Sequence, residues 1–253
     1  MGTSRADRIT ARLGEHERWD VAGCLDVQLD LHSPQAQTYL EILRPLLPAG
    51  RGGETLAAWD GRYDPASVAP TLFERFRREL LLEVFGRVLG REPVLHLLDE
   101  TGILADFYAA FDRVLLAERS AWFGGRTREE LWRRAALRAL AAPARPWGEV
   151  QQVTLRHLLL GGRLPLSAGF DRGPFPLPGG AGSPSQGQVY RSGGRETSFA
   201  PSLRLVTDFA EDAAHTALAG GPSDRRLSRW YVSGLADWAA GRLVRHAPPR
   251  AGQ

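Results

Sequence analysis

The sequence predicts an α+β fold, and three observations carry that expectation. Apolar residues fall at i+4 steps over Val68, Leu72, Phe76, Leu80 and Val84, the period of a helix that buries one stripe. Near "APARPW" the texture shifts to short runs, "EVQQVTLRHLL" and "PSLRLVTDF", separated by Gly/Pro-rich connections, as strands require. A last amphipathic stretch, "RWYVSGLADWAAGRL", precedes a polar, proline-bearing tail. The expected map is therefore a mostly helical part over 1–145 and a strand-rich part with a C-terminal helix over 146–253.

Taken in order, "SRADRITARLGE" places Ile9 and Leu13 four apart on one face of a first helix. The opening "MGTSRADRIT" reads as a helix already under way, a sign of truncation. Ser33 before Pro34 is an N-cap followed by proline at the first helical position, opening "SPQAQTYLEILRPLL". The same device at Asp64-Pro65 is expected to open the longest helix. Phe73, Leu81, Phe85 and Val88 flank its apolar stripe, and arginines and glutamates fill the other side. Burying one such phenylalanine contributes roughly 1.5–3 kcal/mol, so this helix belongs against a core. Thr127 with Glu130 makes a capping box ahead of "LWRRAALRAL". In the second strand run, Leu203, Leu205 and Thr207 alternate with Arg204, Val206 and Asp208. No fixed-period repeat is present.

Composition narrows the function. With 43% apolar and 24% charged residues over 253 positions, a sizeable packed core is expected. All 32 basic residues are arginine, and lysine and asparagine are absent, which reads as a coding bias toward GC. The 29 acidic residues interleave with the arginines, as in "ERFRRELLLEVFGRV", and leave a formal charge of +3. That describes solvated helix faces with i,i+4 pairs more than a phosphate-binding stripe, so no nucleic-acid partner is expected. Cys24 is the lone cysteine; it excludes an internal disulfide and reads as a small core residue. No membrane-spanning stretch and no signal-peptide apolar region stand out, which leaves localisation unknown.

The common chemical motifs are missing: no G-x-S-x-G, no P-loop and no H-E-x-x-H. His16, His32, His96, His157, His215 and His246 are scattered without ligand spacing. The run "FDRGPFPLPGG", residues 170–180, then "AGSPSQGQ", is the densest cluster of proline and glycine. Its glycines precede no Lys-Ser/Thr, so it does not read as a phosphate loop. Phe170, Phe175 and Leu177 are apolar anchors that flexible linkers seldom carry. It reads as a turn-rich, packed connection between strands, giving shape and not chemistry.

Several of these segments carry a resemblance to the penicillin acylase (penicillin amidase) family. "WDGRYDPASVAPTLFERF" resembles its tryptophan-then-helix element, "FDRGPFPLPGG" its Gly-Pro-rich loop, and "SLRLVTDF" its late arginine-bearing strand. "GGPSDRRLSRWYVSGLADWAAGRL" is similar to its C-terminal glycine-rich loop and Trp-bearing helix. "RADRITARL" followed by "VQLDLHSPQAQTYLEILRPLL" resembles the helix pair downstream of its oxyanion asparagine. The segments occur in family order and cover nearly the whole chain, and they match the C-terminal part of the family's large chain.

What the resemblance implies is part of a four-layer αββα N-terminal-nucleophile hydrolase. In that family a serine freed by self-cleavage attacks an acyl amide, with its own α-amine as base. Substrates are β-lactam side chains or acyl-homoserine lactones. The nucleophile, the calcium ligands and the oxyanion asparagine all lie upstream of the matched part, so no cofactor or metal is expected in this chain. The expected partner is the missing N-terminal portion or small subunit of the acylase. The one matched site residue is Arg8 in "RADRI", where the family has the arginine that lies beside the asparagine and orders the active site. Its guanidinium, always charged, offers a fixed fork of donors. Trp230 in "RWYVS" departs from the histidine the family usually pairs with the following tyrosine. Removal of Met1 exposes Gly2, not Thr3 or Ser4, so the N-terminus is not expected to supply the nucleophile. The isolated chain is therefore expected to be inactive. The alternative is a non-catalytic helical interaction module derived from the same fold.

Overall fold

The computed structural model describes residues 4–100, 105–180, 182–186, 196–197 and 200–248; Met1, Gly2 and Thr3 lie outside them. Helices come first: α1 (Ser4–Leu13), α2 (Val21–Gln28), α3 (Pro34–Leu43), α4 (Arg51–Ala57) and α5 (Ala69–Val84). They continue with α6 (Gly86–Leu89), α7 (Arg91–Glu100), α8 (Ala105–Leu116), α9 (Arg128–Leu140) and α10 (Trp147–Val150). Strands follow: β1 (Gln152–Leu155), β2 (Arg172–Pro176), β3 (Glu196–Thr197), β4 (Leu203–Asp208) and β5 (Ala213–Leu218). The short α11 (Leu235–Ala239) and β6 (Val244–His246) close the series. Helices before strands is the predicted order.

The core of the helical part forms around α5. Leu72, Phe76, Leu80 and Val84, the predicted stripe, are all buried. Trp132 of α9 stacks on Tyr39 of α3 with ring centroids 5.4 Å apart and meets Phe76 at 5.2 Å. Two details differ from expectation. Val88 is 61% exposed, because the helix ends before it, while Arg77 and Glu83 are buried on the side expected to face solvent. The helix also begins at Ala69, not at Pro65. The carbonyls of Pro65 and Ser67 accept the amides of Gly148 and Trp147 at 2.8 Å each, so tertiary bonds claim this backbone. Asp64 instead accepts the Ala66 amide at 2.8 Å and makes a turn.

Two local signals hold as read. Ser33 accepts the Ala36 amide at 3.2 Å with Pro34 in the first turn. Thr127 and Glu130 exchange both capping-box bonds, at 3.2 and 2.9 Å. Cys24 is half-buried, outside the core.

The strands form two small sheets, ordered β2-β1-β3 and β4-β5-β6. β1 pairs antiparallel with β2 and parallel with β3; β5 pairs antiparallel with both neighbours. Val153 of β1 and Leu177, just after β2, share a second core with Ala217 of β5 and Trp238 of α11. Alternation in β4 is present, but the arginine face is the inner one. Arg204 is buried and donates to the Trp238 carbonyl at 2.7 Å, whereas Leu203 and Leu205 are 52% and 50% exposed. The closing helix is shorter than its amphipathic stretch. Gly234 comes too close to the Leu218 carbonyl for any β-carbon, 2.8 Å, and its amide donates to Gly220 at 2.7 Å, which holds the preceding residues as turns.

Candidate functional site

Arg8 sits in the middle of α1, a helix with no buried residue and with Leu13 47% exposed. The predicted Ile9–Leu13 stripe therefore does not anchor it. Three arginines at one helical face do. Arg5 Nε donates to the Pro184 carbonyl at 3.3 Å, Arg8 Nε to Asp30 Oδ2 at 2.6 Å, and Arg12 to Asp26. Spacings of three and four put these side chains on one side of the helix.

Asp30 is the fixed end of this contact. Its side chain is 4% exposed against 25% for Arg8. Oδ1 accepts the His32 amide at 3.0 Å and faces His32 Nδ1 at 3.3 Å, while His32 Nε2 lies 3.4 Å from Asp60 Oδ2. Burial pushes the Asp30 carboxyl up, but the His32 amide, the Arg8 guanidinium and the His32 ring outweigh it, so the group sits below the usual carboxylate range. Asp30→Asn is expected to lower stability at pH 7 by about 1.5–3 kcal/mol, the scale of a hydrogen bond to a charged group. The folded value lies below an unfolded one near ~3.9, so the stabilisation is full above that value and disappears as pH falls through the lowered one. Urea midpoints of both proteins between neutral and acidic pH test this; a gap that stays constant into acid contradicts it.

The Pro/Gly-rich run backs onto the same place. Part of it, Arg172–Pro176, is the strand β2 itself and not a connection between strands. Its main chain pairs antiparallel with β1, Val153 opposite Phe175 and Gln152 opposite Pro176. The residues after it are the packed connection that was expected. Leu177 donates to the Gln151 carbonyl at 2.9 Å, Gly179 to Tyr63 at 3.0 Å and Ser185 to Asp30 at 2.9 Å. A β-carbon at Gly180 would lie 2.6 Å from the Tyr63 ring, and one at Gly182 2.4 Å from Ser33 Oγ. Glycine is needed here for close approach. Ser183 turns inward, accepting the Gly180 amide at 2.9 Å.

Among the described residues, no group of three or more His, Cys, Asp or Glu side chains is arranged to hold a metal ion. Asp171, in the Pro/Gly-rich run, accepts the His157 and Gly162 amides at 2.9 and 2.8 Å. No helix among them is long and apolar enough to cross a membrane.

Of the residues gathered here, sequence reasoning singled out Arg8 alone. Asp30 stands between two leucines in "QLDLHSP", and a lone acid flanked by apolar residues just before an N-cap was the available signal. His32 had none: Asp30 lies two residues before it, but its other partner, Asp60, reaches it only through the Leu31–Tyr63 and His32–Arg62 backbone contacts.

Comparison with known proteins identifies relatives of the chain and of its fold. The chain is similar to the penicillin acylase 2 proenzyme of Pseudomonas sp. (strain SE83), 25% identical over 268 residues. That match covers 95% of this chain and 32% of the proenzyme, so the chain spans about a third of the relative's length. Its fold is similar to a thermostable penicillin G acylase from Alcaligenes faecalis, with a TM-score of 0.62 at 15% identity, over 95% of this chain and 48% of that one. The sequence pattern of the family described as penicillin amidase matches residues 2–248. A family match that runs over nearly the whole chain shows that the chain belongs to the penicillin amidase family.

Proposed function

We propose that this chain is the C-terminal segment of a penicillin-acylase-like amidohydrolase that cleaves the C–N bond of acyl amides through an acyl-enzyme. The family match over residues 2–248 carries the reading. Substrates would be β-lactam side chains or acyl-homoserine lactones. In this reading the nucleophilic serine, its α-amine base and the oxyanion asparagine come from the rest of the enzyme. The last follows from composition, since the chain contains no asparagine. Calcium, where the family carries it, would be held there too, and residence in the periplasm or outside the cell would follow the family.

What this chain supplies is Arg8. Its Nε is bound to Asp30, and among the described residues its Nη1 and Nη2 make no hydrogen bond. Two free NH2 groups on a permanently charged, half-buried side chain suit the task of steadying an amide side chain at an oxyanion site. The outward face of β4–β6 bears Leu203, Leu205 and Val244, exposed by 52, 50 and 43%. An apolar sheet face of this kind supports packing against the remaining part of the acylase.

The isolated chain is expected to give no turnover of chromogenic acyl anilides, and true turnover by it would refute the split of roles. The DNA immediately upstream is the second test. An in-frame stretch encoding a Gly-Ser processing site and an asparagine supports the acylase reading; its lack favours a non-catalytic module built on the same fold.

A further inference from the structure

We infer that Asp30 is a positioning residue for Arg8, holding the guanidinium by Nε so that both Nη groups stay available to the group Arg8 serves. This rests on the acylase reading above. The geometry carries it in two ways. A carboxylate meant only to latch a helix does best with a bidentate, fork-to-fork contact to arginine, which adds energy and uses two donors. Asp30 instead engages Nε alone, and no partner for Nη1 or Nη2 is found among the described residues. The support is also rigid. Asp30 has its second oxygen on the His32 amide, its carbonyl on the Ser185 amide at 2.9 Å and its own amide on Val27 at 3.3 Å. Helix α1 is attached independently through Arg5 and Arg12, so the Asp30 contact adds orientation to a helix already held.

Asparagine at 30 keeps the shape but cannot serve both donors. Whichever way its amide turns, its NH2 faces either Arg8 Nε–H or the His32 amide. The test uses the whole 253-residue chain, labelled with nitrogen-15. The Arg8 Nε–H signal, identified by its loss in Arg8→Lys, is expected to exchange slowly with water. In Asp30→Asn that exchange should accelerate by roughly tenfold or more, the factor for losing a charged hydrogen bond. Asp30→Glu, which keeps the charge, should retain part of the protection, and the amide signals of α5 and α9 should stay in place in both. In the enzyme completed with its upstream part, Asp30→Asn should lower kcat by about 10- to 100-fold with KM unchanged. Arg8→Ala should do the same, and the double variant should be no worse than either. Unchanged Nε–H exchange in Asp30→Asn overturns the contact. Faster exchange with unchanged kcat overturns the positioning role and leaves a structural latch. No turnover by the completed wild-type enzyme overturns the acylase reading and the positioning role together, whatever the exchange data show.

Discussion

Trp147→Ala is expected to destabilise the chain by about 3–5 kcal/mol, the range for removing a fully buried tryptophan. The indole is 1% exposed and joins the two halves of the molecule. Its ring meets Tyr63 edge-on at 5.4 Å, and its Nε1 donates to the Gly179 carbonyl at 2.9 Å. Its backbone amide meanwhile holds Ser67 at 2.8 Å, in the turn that precedes α5. Alanine therefore opens a cavity and leaves a buried carbonyl without its donor. Trp147→Phe separates the two effects. It fills much of the space but lacks the N–H, so it should cost about 1–3 kcal/mol. Denaturant melts give the totals. Hydrogen exchange should show the loss of protection at residues 177–186 and at β1 before it reaches α9. If Trp147→Ala shifted stability by less than ~1 kcal/mol, this tryptophan would not be the joint between helices and strands.

Arg77→Ala should be comparably damaging, by about 3–5 kcal/mol, because it breaks a buried charge network from its centre. Arg77 is 6% exposed within the helical core. It donates to Asp112 at 3.4 Å, lies 3.9 Å from Glu74 and stands 5.5 Å from the Tyr39 ring. Tyr39 donates to the same Asp112 oxygen at 2.7 Å, and Gln35 donates to its neighbour. Burial works against the Arg77 charge, but Asp112 and Glu74 outweigh it and hold the guanidinium above its ordinary range. Without Arg77 the part-buried Asp112 and Glu74 lose the guanidinium that both of them face. Arg77→Met restores volume but not charge, so it should recover little by itself. Combined with Asp112→Leu it should lose less than the two single losses added together, since contacting residues couple. Additive losses in that double-mutant cycle would mean that the network is not desolvated.

The chain's elements were legible where the signal is local. An N-cap serine before proline, a capping box and a period of four are satisfied within one turn of backbone, so Ser33, Thr127 and the stripe from Leu72 to Val84 read correctly. The α+β class followed from the same local patterns, and the family from their order along the chain. Arg8 was found by resemblance to that family, and no local pattern marked it.

What the tertiary structure alone decided concerns residues whose partners are far away in sequence. Arg77 and Glu83 looked solvated because charges on a helix usually are, yet Asp112 of α8 reaches Arg77, and Arg134 and Arg138 of α9 reach Glu83. The alternation of β4 did not say which face lies inside, and Arg204 is drawn in by the carbonyl and ring of Trp238. Asp64 looked like a helix cap until Gly148 and Trp147 took the next carbonyls. Asp30 shows the same thing at the candidate site. The neighbouring His32 amide holds its carboxyl down locally, but its ion pair is with a helix 22 residues earlier and its carbonyl takes a loop amide at Ser185. Sequence by itself determined the period, the caps and the family, because those are written within a few residues of one another. Only folding could decide which charges lie inside, because the free energy of a buried charge is set by what stands against it in space.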